Sequence, residues 1–344
     1  MRAFGFRQHG DLDRLEFLDL PEPHAGPGEV RVRIRAAGFN HLDLFSLEGM
    51  PGVPLPLPHI LAGDGTGVVD ELGEGAVGPK IGDRVMIDPS LSDGTCEWCR
   101  RGDEVYCRNY RILGEHVQGT AAEWVVVPAR NVVPLPSRLD FTSGAGCALV
   151  FMTAWRALFT VGELRPGERV AMVGAGGGLV TAAIQLAHWK GAHITVATRS
   201  AERAEKVRAL GADATLVTSP ERSLGKGLWE LSEKRGFDVV FDSNGRATFP
   251  DSLRVLGRGG RLVFCGATTG PNVEMDLRPI FWRGASVRGS TMGNRAEFHE
   301  ALKLLDSGAV HPVIDRVYPL SQGVEAMARL KAGDMFGKIV LEVS

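Results

Sequence analysis

A glycine-rich turn between an apolar run and a helical stretch constrains this chain more than any other segment. The apolar run Val170–Val173 leads into GAGGGLVT at residues 174–181. A buried strand that enters such a turn and continues as a helix presents backbone N–H groups at the helix N-terminus, where a pyrophosphate binds. We therefore predict a dinucleotide site at Gly176, Gly177, Gly178 and Leu179. The alternative, a flexible turn, is disfavoured by the apolar strand before it.

The stretch around this turn alternates between short apolar runs and helical segments. The apolar runs are Val170–Val173, Ile194–Ala197, Ala214–Val217, Val239–Phe241 and Leu262–Phe264. The helical segments between them are Val180–Trp189, Ala201–Leu210, Leu228–Lys234 and Thr248–Leu256. Strand and helix repeated in this way are typical of a parallel, doubly wound α/β sheet. We predict this domain over residues 151–291.

The first 150 residues follow a different pattern. Val30, Val32 and Ile34 alternate with arginines, which predicts a half-buried strand, and Pro and Gly punctuate the sequence between candidate strands. No strand–helix–strand rhythm is present, so a mostly antiparallel barrel or sandwich fits best. The tail, residues 292–344, has too few elements to bury its own core. We expect it to pack back on residues 1–150 as one β-rich domain.

The second apolar run of the parallel stretch indicates which dinucleotide binds. An NAD site usually places Asp or Glu at the end of this strand to accept from the ribose 2′-hydroxyl. Here the residues are Thr198, Arg199 and Ser200, with Arg203 one turn later. Arginines suit a 2′-phosphate through charge-assisted hydrogen bonds. We predict NADP(H), the alternative being that Arg199 is a solvated loop residue.

Three of the five cysteines lie within residues 96–107. Together with the preceding Asp93, the positions Asp93, Cys96, Cys99 and Cys107 have the spacing of a tetrahedral structural zinc site, in which a carboxylate is an acceptable ligand. We predict one structural zinc per chain. The alternative is three free thiols without a metal.

Charge and cysteine usage exclude several classes of protein. The chain has 39 Lys and Arg residues and 41 Asp and Glu residues, a formal net charge of −2. It therefore has no net positive electrostatic field that would attract nucleic acid or an anionic membrane. No apolar run reaches the roughly 18 residues of a membrane span. An odd number of clustered cysteines argues against a secreted disulfide scaffold. We expect a cytoplasmic protein that binds neither nucleic acid nor membrane.

Taken together, these motifs resemble the medium-chain dehydrogenase/reductase family over essentially the whole chain. The resemblance rests on AAGFNHLD (36–43), GDGTGVVDELGEG (63–75), IGDRV (81–85), residues 93–107, called here the cysteine lobe, GAGGGL (174–179) and GKIVL (337–341). It implies a GroES-like β-rich catalytic domain completed by the tail, a Rossmann domain between, and an active site in the cleft between domains. It also implies a small-molecule carbonyl or alcohol substrate, and a homodimer or homotetramer.

The resemblance also implies functional residues, and here the chain departs from the zinc alcohol dehydrogenases. Their catalytic-zinc ligand places hold Asn40, Gly63 and Leu149, none of which is a good zinc ligand. Asn at the first place is similar to the zinc-independent quinone and enone reductases of the family. The implied catalytic residues are Asn40, Asp43, Asp64 and Thr153. The implied cofactor residues beyond the glycine turn and the arginines are His41, Gly266, Ala267 and Lys338.

Three functions remain open at this point. The first is an NADPH-dependent reductase of quinones or enones without catalytic zinc, in which the Asn40 amide donates to the developing enolate oxygen. The second is an alcohol or aldehyde dehydrogenase whose zinc is held by His41, His59 or Asp64. The third is a nucleotide-binding protein with little catalysis. Asp43 has an alternative role as a helix cap, His41 as a solvated loop residue, and Lys338 as an exposed lysine.

Overall fold

The strand Glu29–Gly38 shows how the period-two pattern builds the first part of the chain. Its residues Val30, Val32 and Ile34 are buried. The arginines between them lie on the more exposed face, where Arg31 pairs with Asp70 (Nη2–Oδ2 2.6 Å). Because successive side chains of a strand point to opposite faces, a single face of residues 29–35 joins the core, whereas the last three residues of the strand are all buried.

The computed structural model describes residues 1–343. The strands, in chain order, are β1 (Arg2–Phe6), β2 (Leu15–Asp19), β3 (Glu29–Gly38), β4 (His59–Ile60), β5 (Asp64–Leu72), β6 (Arg84–Ile87), β7 (Ser90–Leu91), β8 (Arg111–Ile112), β9 (Trp124–Pro128), β10 (Val132–Pro134), β11 (Arg169–Val173), β12 (His193–Thr198), β13 (Ala214–Val217), β14 (Phe237–Asp242), β15 (Leu256–Phe264), β16 (Ser286–Gly289), β17 (Ile314–Pro319) and β18 (Lys338–Glu342). The α-helices are α1 (His41–Glu48), α2 (Glu97–Arg100), α3 (Phe141–Ala145), α4 (Ala148–Trp155), α5 (Gly178–Trp189), α6 (Ala201–Ala209), α7 (Leu224–Leu231), α8 (Phe249–Arg254), α9 (Arg278–Arg283), α10 (Arg295–Ser307) and α11 (Gly323–Ala332).

These elements form two units. The first, called here the β-rich unit, comprises residues 1–150, 294–308 and the stretch from Pro312 onward; the second, the parallel-sheet unit, comprises residues 151–293 and 309–311. The boundary near residue 292 differs by two residues from the predicted one. Residues 309–311, predicted within the tail, cluster with the parallel-sheet unit instead.

The β-rich unit is built on a seven-stranded sheet with the order β10-β6-β5-β3-β18-β17, in which β9 also pairs with β3. Its pairs are antiparallel except β17 with β18. The tail enters this sheet directly, because Val340 of β18 pairs with Gly38 of β3. Separate small sheets are formed by β2-β1-β4 and by β7-β8.

The parallel-sheet unit has one six-stranded sheet with the order β13-β12-β11-β14-β15-β16, and every pair in it is parallel. Counted from β11, this is the order 3-2-1-4-5-6 of a dinucleotide-binding sheet, whose ligand crevice lies at the carboxyl ends of its first and fourth strands. The predicted architecture, a β-rich unit plus a parallel α/β sheet, is what the structure has.

The prediction missed several helical segments, among them α3, α4 and α9, of which α4 is the longest. Helix α4 runs into a π-helical turn at Arg156–Val161, whereas the sequence pattern indicates no element there. Ala148–Trp155 carries no charged residue, and a segment that is apolar all round shows no helical periodicity. The predicted helix Leu228–Lys234 in fact spans Leu224–Leu231, and Leu256 begins a strand rather than ending a helix. Over residues 1–343 no helix has the length and apolarity to cross a bilayer.

Candidate active site

Three strand ends meet in the β-rich unit. Strand β3 ends at Gly38, two residues before Asn40; β5 begins at Asp64 and β18 begins at Lys338. Gly38 pairs with Asp64 on one side and with Val340 on the other. Since both pairings are antiparallel, the end of β3 lies beside the beginnings of its two neighbours. The register therefore places Asn40, Asp64 and Lys338 together.

The side chains of these three residues form a closed triangle of hydrogen bonds, called here the Lys–Asp–Asn cluster. Lys338 Nζ donates to Asn40 Oδ1 at 2.5 Å and to Asp64 Oδ2 at 2.8 Å. Asn40 Nδ2 donates to Asp64 Oδ2 at 2.9 Å. Asp64 is 0% exposed and Lys338 3%. Because lysine only donates, it must face the amide oxygen of Asn40, which fixes the orientation of that amide.

Backbone groups hold the cluster in place. The N–H of Leu149 donates to Asp64 Oδ1 at 2.7 Å, so both carboxylate oxygens are engaged. The remaining amide hydrogen of Asn40 faces the carbonyl oxygen of Gly38, at an Nδ2–O distance of 3.5 Å. The Asn40 amide, predicted as the donor to a substrate oxygen, therefore directs its hydrogens at protein acceptors.

Asp43 lies in the first turn of α1 and holds the backbone segments that carry two residues of the cluster. Its carboxylate accepts from the N–H of Asn40 and from the N–H of Ala62, each at 2.7 Å. It thus joins the segment that carries Asn40 to the one that leads into Asp64. Burial raises the pKa of Asp43 to about 7. The contact with the Ala62 N–H is consistent with the predicted supporting role, and the contact with the Asn40 N–H is the alternative role as a helix cap.

The residues at the places of a catalytic zinc do not fit that metal. Gly63 has no ligand atom and Leu149 is aliphatic, while Asn40 Oδ1 already accepts from an ammonium group. The alternative ligand His59 is buried, with Nε2 3.0 Å from the Gly114 carbonyl oxygen. His41 lies at the start of α1, its ring against Phe45. In the described part of the chain, neither histidine belongs to a group of His, Cys, Asp or Glu side chains close enough to hold an ion.

The cysteine lobe does have such a group. One ligand atom from each of Asp93, Cys96, Cys99 and Cys107 lies within 4.8 Å of the others. The Sγ atoms of Cys96 and Cys99 are 3.5 Å apart, and Cys107 Sγ is 3.2 Å from Asp93 Oδ2. Asp93 Oδ1 accepts from the N–H groups of Thr95 and Cys96, which leaves Oδ2 facing the thiols. This donor set and its spacing fit a tetrahedral zinc.

The glycine turn lies at the carboxyl end of β11, in the ligand crevice of the parallel sheet. Gly174 has φ +99°, a conformation that favours glycine, and Gly177 is the N-cap of α5. A Cβ atom added at Gly177 would meet nothing within 4 Å, so the space in front of the helix is open. With Gly176, Gly178 and Leu179 it forms a surface that fits a pyrophosphate at a helix N-terminus.

The next strand, β12, ends at Thr198 beside this turn. The Thr198 hydroxyl oxygen accepts from the N–H of Ser200, and the Ser200 hydroxyl oxygen caps α6 by accepting from the N–H of Arg203 (3.2 Å each). Thr198 is buried, whereas Arg199 is exposed. A carboxylate that would accept from a ribose 2′-hydroxyl is missing at this strand end, and a guanidinium is present instead.

The other predicted cofactor residues are divided between the units. Thr153, Gly266 and Ala267 belong to the parallel-sheet unit, where Thr153 Oγ1 lies 3.8 Å from Met292 Sδ. A Cβ atom at Gly266 would come within 2.8 Å of the Ser243 carbonyl oxygen, so the turn after β15 requires glycine. Lys338, predicted with this group as a cofactor residue, lies in the β-rich unit and in the Lys–Asp–Asn cluster.

Sequence reasoning missed one buried acid near this site. Glu115 has a carboxylate oxygen, Oε2, that is buried without a hydrogen-bond partner, and burial raises its pKa to about 7. The charge of Asp43 contributes to that shift. Glu115 follows the glycine whose carbonyl oxygen accepts from Ser46 and His59. No local pattern marks such a residue, because a lone Glu in a loop usually lies in solvent.

Comparisons with known proteins agree with both units. A family model described as "Alcohol dehydrogenase GroES-like domain" matches residues 26–137, and one described as "Zinc-binding dehydrogenase" matches residues 178–307. An NAD-dependent alcohol dehydrogenase of Sulfolobus acidocaldarius is 32% identical over 358 residues, and the match covers 100% of both chains. The chain belongs to the medium-chain dehydrogenase/reductase family. The resemblance drawn from its motifs is confirmed.

Solved structures of this family extend the agreement to the whole fold. A crystal structure of an NAD-dependent alcohol dehydrogenase has a TM-score of 0.95, 39% identity and coverage of 100% of both chains. A crotonyl-CoA carboxylase/reductase in complex with NADP has a TM-score of 0.91 and 28% identity, covering 100% of this chain and 95% of that one. This medium-chain dehydrogenase/reductase is an NAD(P)-dependent oxidoreductase.

Proposed function

We propose that this medium-chain dehydrogenase/reductase uses NADPH to reduce the carbon–carbon double bond of a conjugated carbonyl compound, without zinc at the substrate. The substrate class comprises enones, quinones and enoyl thioesters. The Lys–Asp–Asn cluster carries this proposal. A catalytic metal would need three protein ligands here, and the cluster instead places the Lys338 ammonium group beside Asn40 and Asp64. One of the similar structures, the crotonyl-CoA carboxylase/reductase, supports the class by its name.

The chemistry explains why this class needs no metal. An alcohol is oxidised more easily when a metal lowers the pKa of its hydroxyl. A conjugated carbonyl compound is reduced by hydride addition at its β-carbon, while the double-bond electrons move to the carbonyl oxygen and form an enolate. Water then supplies a proton to the α-carbon of an enone or enoyl thioester, whereas a quinone ends as a hydroquinone with protons on its oxygens. Orientation of the substrate and stabilisation of the enolate oxygen are the tasks left to the protein.

The parallel-sheet unit has the residues to hold the cofactor that supplies the hydride. The N-terminus of α5 would hold the pyrophosphate, and Arg199 with Arg203 would hold a 2′-phosphate. Arg199 is exposed, and its guanidinium has no carboxylate partner among residues 1–343. We propose NADP(H) as the preferred cofactor for this reason. The cysteine lobe would hold one structural zinc, which would take no part in the reaction.

A substrate panel tests the proposal. Purified protein is mixed with NADPH or NADH and with an enone, a quinone, an enoyl thioester and a saturated aldehyde, while the absorbance of the reduced cofactor is followed. We expect oxidation of NADPH with conjugated substrates, unchanged after brief exposure to a strong chelator. Turnover restricted to the saturated aldehyde, and abolished at once by the chelator, would instead support a zinc alcohol dehydrogenase with unusual ligands.

A further inference from the structure

One of the N–H donors of the Lys338 ammonium group makes no hydrogen bond among residues 1–343. A lysine ammonium carries three N–H donors. Two are taken by Asn40 Oδ1 and Asp64 Oδ2, and the ammonium makes no third hydrogen bond among residues 1–343. Lys338 is 3% exposed. A buried donor without an acceptor is costly, and an incoming oxygen atom would satisfy it.

The neighbours of Lys338 leave it as the donor best placed for this task. The hydrogens of Asn40 Nδ2 face Asp64 and Gly38, and Asp64 only accepts. Both partners are themselves fixed: Asn40 by Asp43 through its backbone, and Asp64 by the N–H of Leu149. Lys338 is the first residue of β18, a strand paired on both sides. Its ammonium is therefore held by rigid elements.

We propose that Lys338 is a catalytic residue that donates a hydrogen bond to the carbonyl oxygen of the substrate while negative charge develops there. It replaces the metal as the positive group of the site. The hydride adds to the substrate carbon, the electron pair of the broken π-bond moves to oxygen, and the Lys338 ammonium stabilises that oxygen without transferring its proton. A fixed cation stabilises such a charge more than the neutral ground state. This inference rests on the proposed function.

The first experiment separates catalysis from cofactor binding, the role that the sequence predicts for Lys338. We compare Lys338→Met with Lys303→Met, an exposed lysine of α10 paired with Glu300. For each protein, kcat and KM are measured with the conjugated substrate, and the Kd of NADPH is measured separately by fluorescence. We expect kcat to fall about 100-fold or more in Lys338→Met, with the Kd of NADPH changed less than about threefold. Lys303→Met should behave as the wild type. An unchanged kcat with a tenfold weaker NADPH complex would overturn the proposal.

A second variant covers the case in which Lys338→Met does not fold because Asp64 has lost its counter-ion. In the double variant Lys338→Met/Asp64→Asn both charges are gone, so no charge is left unpaired. We expect a folded protein that binds NADPH but keeps the low kcat. A double variant with wild-type kcat would show that Lys338 only neutralises Asp64, and would refute the proposal.

Failure of the proposed function is distinguishable from failure of this inference. If the wild type reduces only saturated aldehydes, the substrate class is wrong, but the same variants still report on Lys338, since an aldehyde oxygen also gains charge during reduction. Lost kcat in Lys338→Met would then support the inference and retained kcat would refute it. A wild type that binds NADPH and reduces no carbonyl compound would overturn both.

Discussion

Removing the charge of Asp64 should destabilise the β-rich unit strongly. Asp64→Asn leaves the Lys338 ammonium buried without a counter-ion, since its other acceptor, Asn40 Oδ1, is neutral. In either orientation the new amide nitrogen would also face a donor: the N–H of Leu149 in one, Lys338 Nζ and Asn40 Nδ2 in the other. Breaking a buried ion pair on one side typically costs about 3–5 kcal/mol. We expect a loss in that range in the free energy of unfolding.

The matched control is an ion pair of similar length on the surface. Arg278 Nη2 lies 2.8 Å from Asp276 Oδ2, but the two side chains are 67% and 49% exposed. Exposed ion pairs contribute little to stability, so Asp276→Asn should leave the urea midpoint of unfolding close to that of the wild type. The contrast between the two Asp→Asn variants isolates the effect of burial.

The assay is a double-mutant cycle in urea, followed by circular dichroism and tryptophan fluorescence. The four proteins are the wild type, Asp64→Asn, Lys338→Met and the double variant. Because the double variant contains no unpaired charge, we expect it to be more stable than the sum of the single losses predicts, by roughly 2–4 kcal/mol. A loss below about 1 kcal/mol in Asp64→Asn, or strict additivity in the cycle, would refute the view that these charges are buried and mutually dependent.

Three further predictions concern other parts of the chain. Arg199→Ala should remove most of the preference for NADPH over NADH, which we expect to be roughly 2–3 kcal/mol for a bidentate, charge-assisted Arg–phosphate contact; equal Kd values in the wild type would contradict the assignment. Asp93→Cys should hold zinc more tightly in competition with a chelator, since thiolate is the softer ligand; weaker retention would count against a zinc site at Asp93. Glu115 has a folded-state pKa of about 7, above its ordinary value of 4.5, so the native state binds the extra proton and stability falls as pH rises between these values. Glu115→Gln should therefore gain up to about 3 kcal/mol at pH 8 and little at pH 4, as measured by urea unfolding; a pH-independent difference would exclude this origin.

Local patterns in the sequence predict the fold well, because they are set by neighbours along the chain. The alternation of Val30, Val32 and Ile34 predicts a strand that the structure extends to Glu29–Gly38. The glycine turn predicts the junction of β11 and α5 to within a few residues. Segments without a polar face, such as Ala148–Trp155, carry no periodic signal and are missed.

The Lys–Asp–Asn cluster depends instead on long-range register. Lys338 lies 274 residues from Asp64 and 298 from Asn40, so no local spacing relates them. The sequence indicates that the tail returns to the β-rich unit, but only the pairing of β18 with β3 shows that its first residue reaches Asn40. A lysine after a glycine is, by its local pattern alone, an ordinary surface residue.

The zinc content of the chain tests the central claim most directly. That claim is that a lysine, and not a metal, is the positive group at the candidate active site, while the cysteine lobe holds a structural ion. Elemental analysis of freshly purified protein, without added metal or chelator, should find one zinc per chain in the wild type and none in Cys107→Ser. Two zinc ions per chain, or one that remains in Cys107→Ser, would contradict the account.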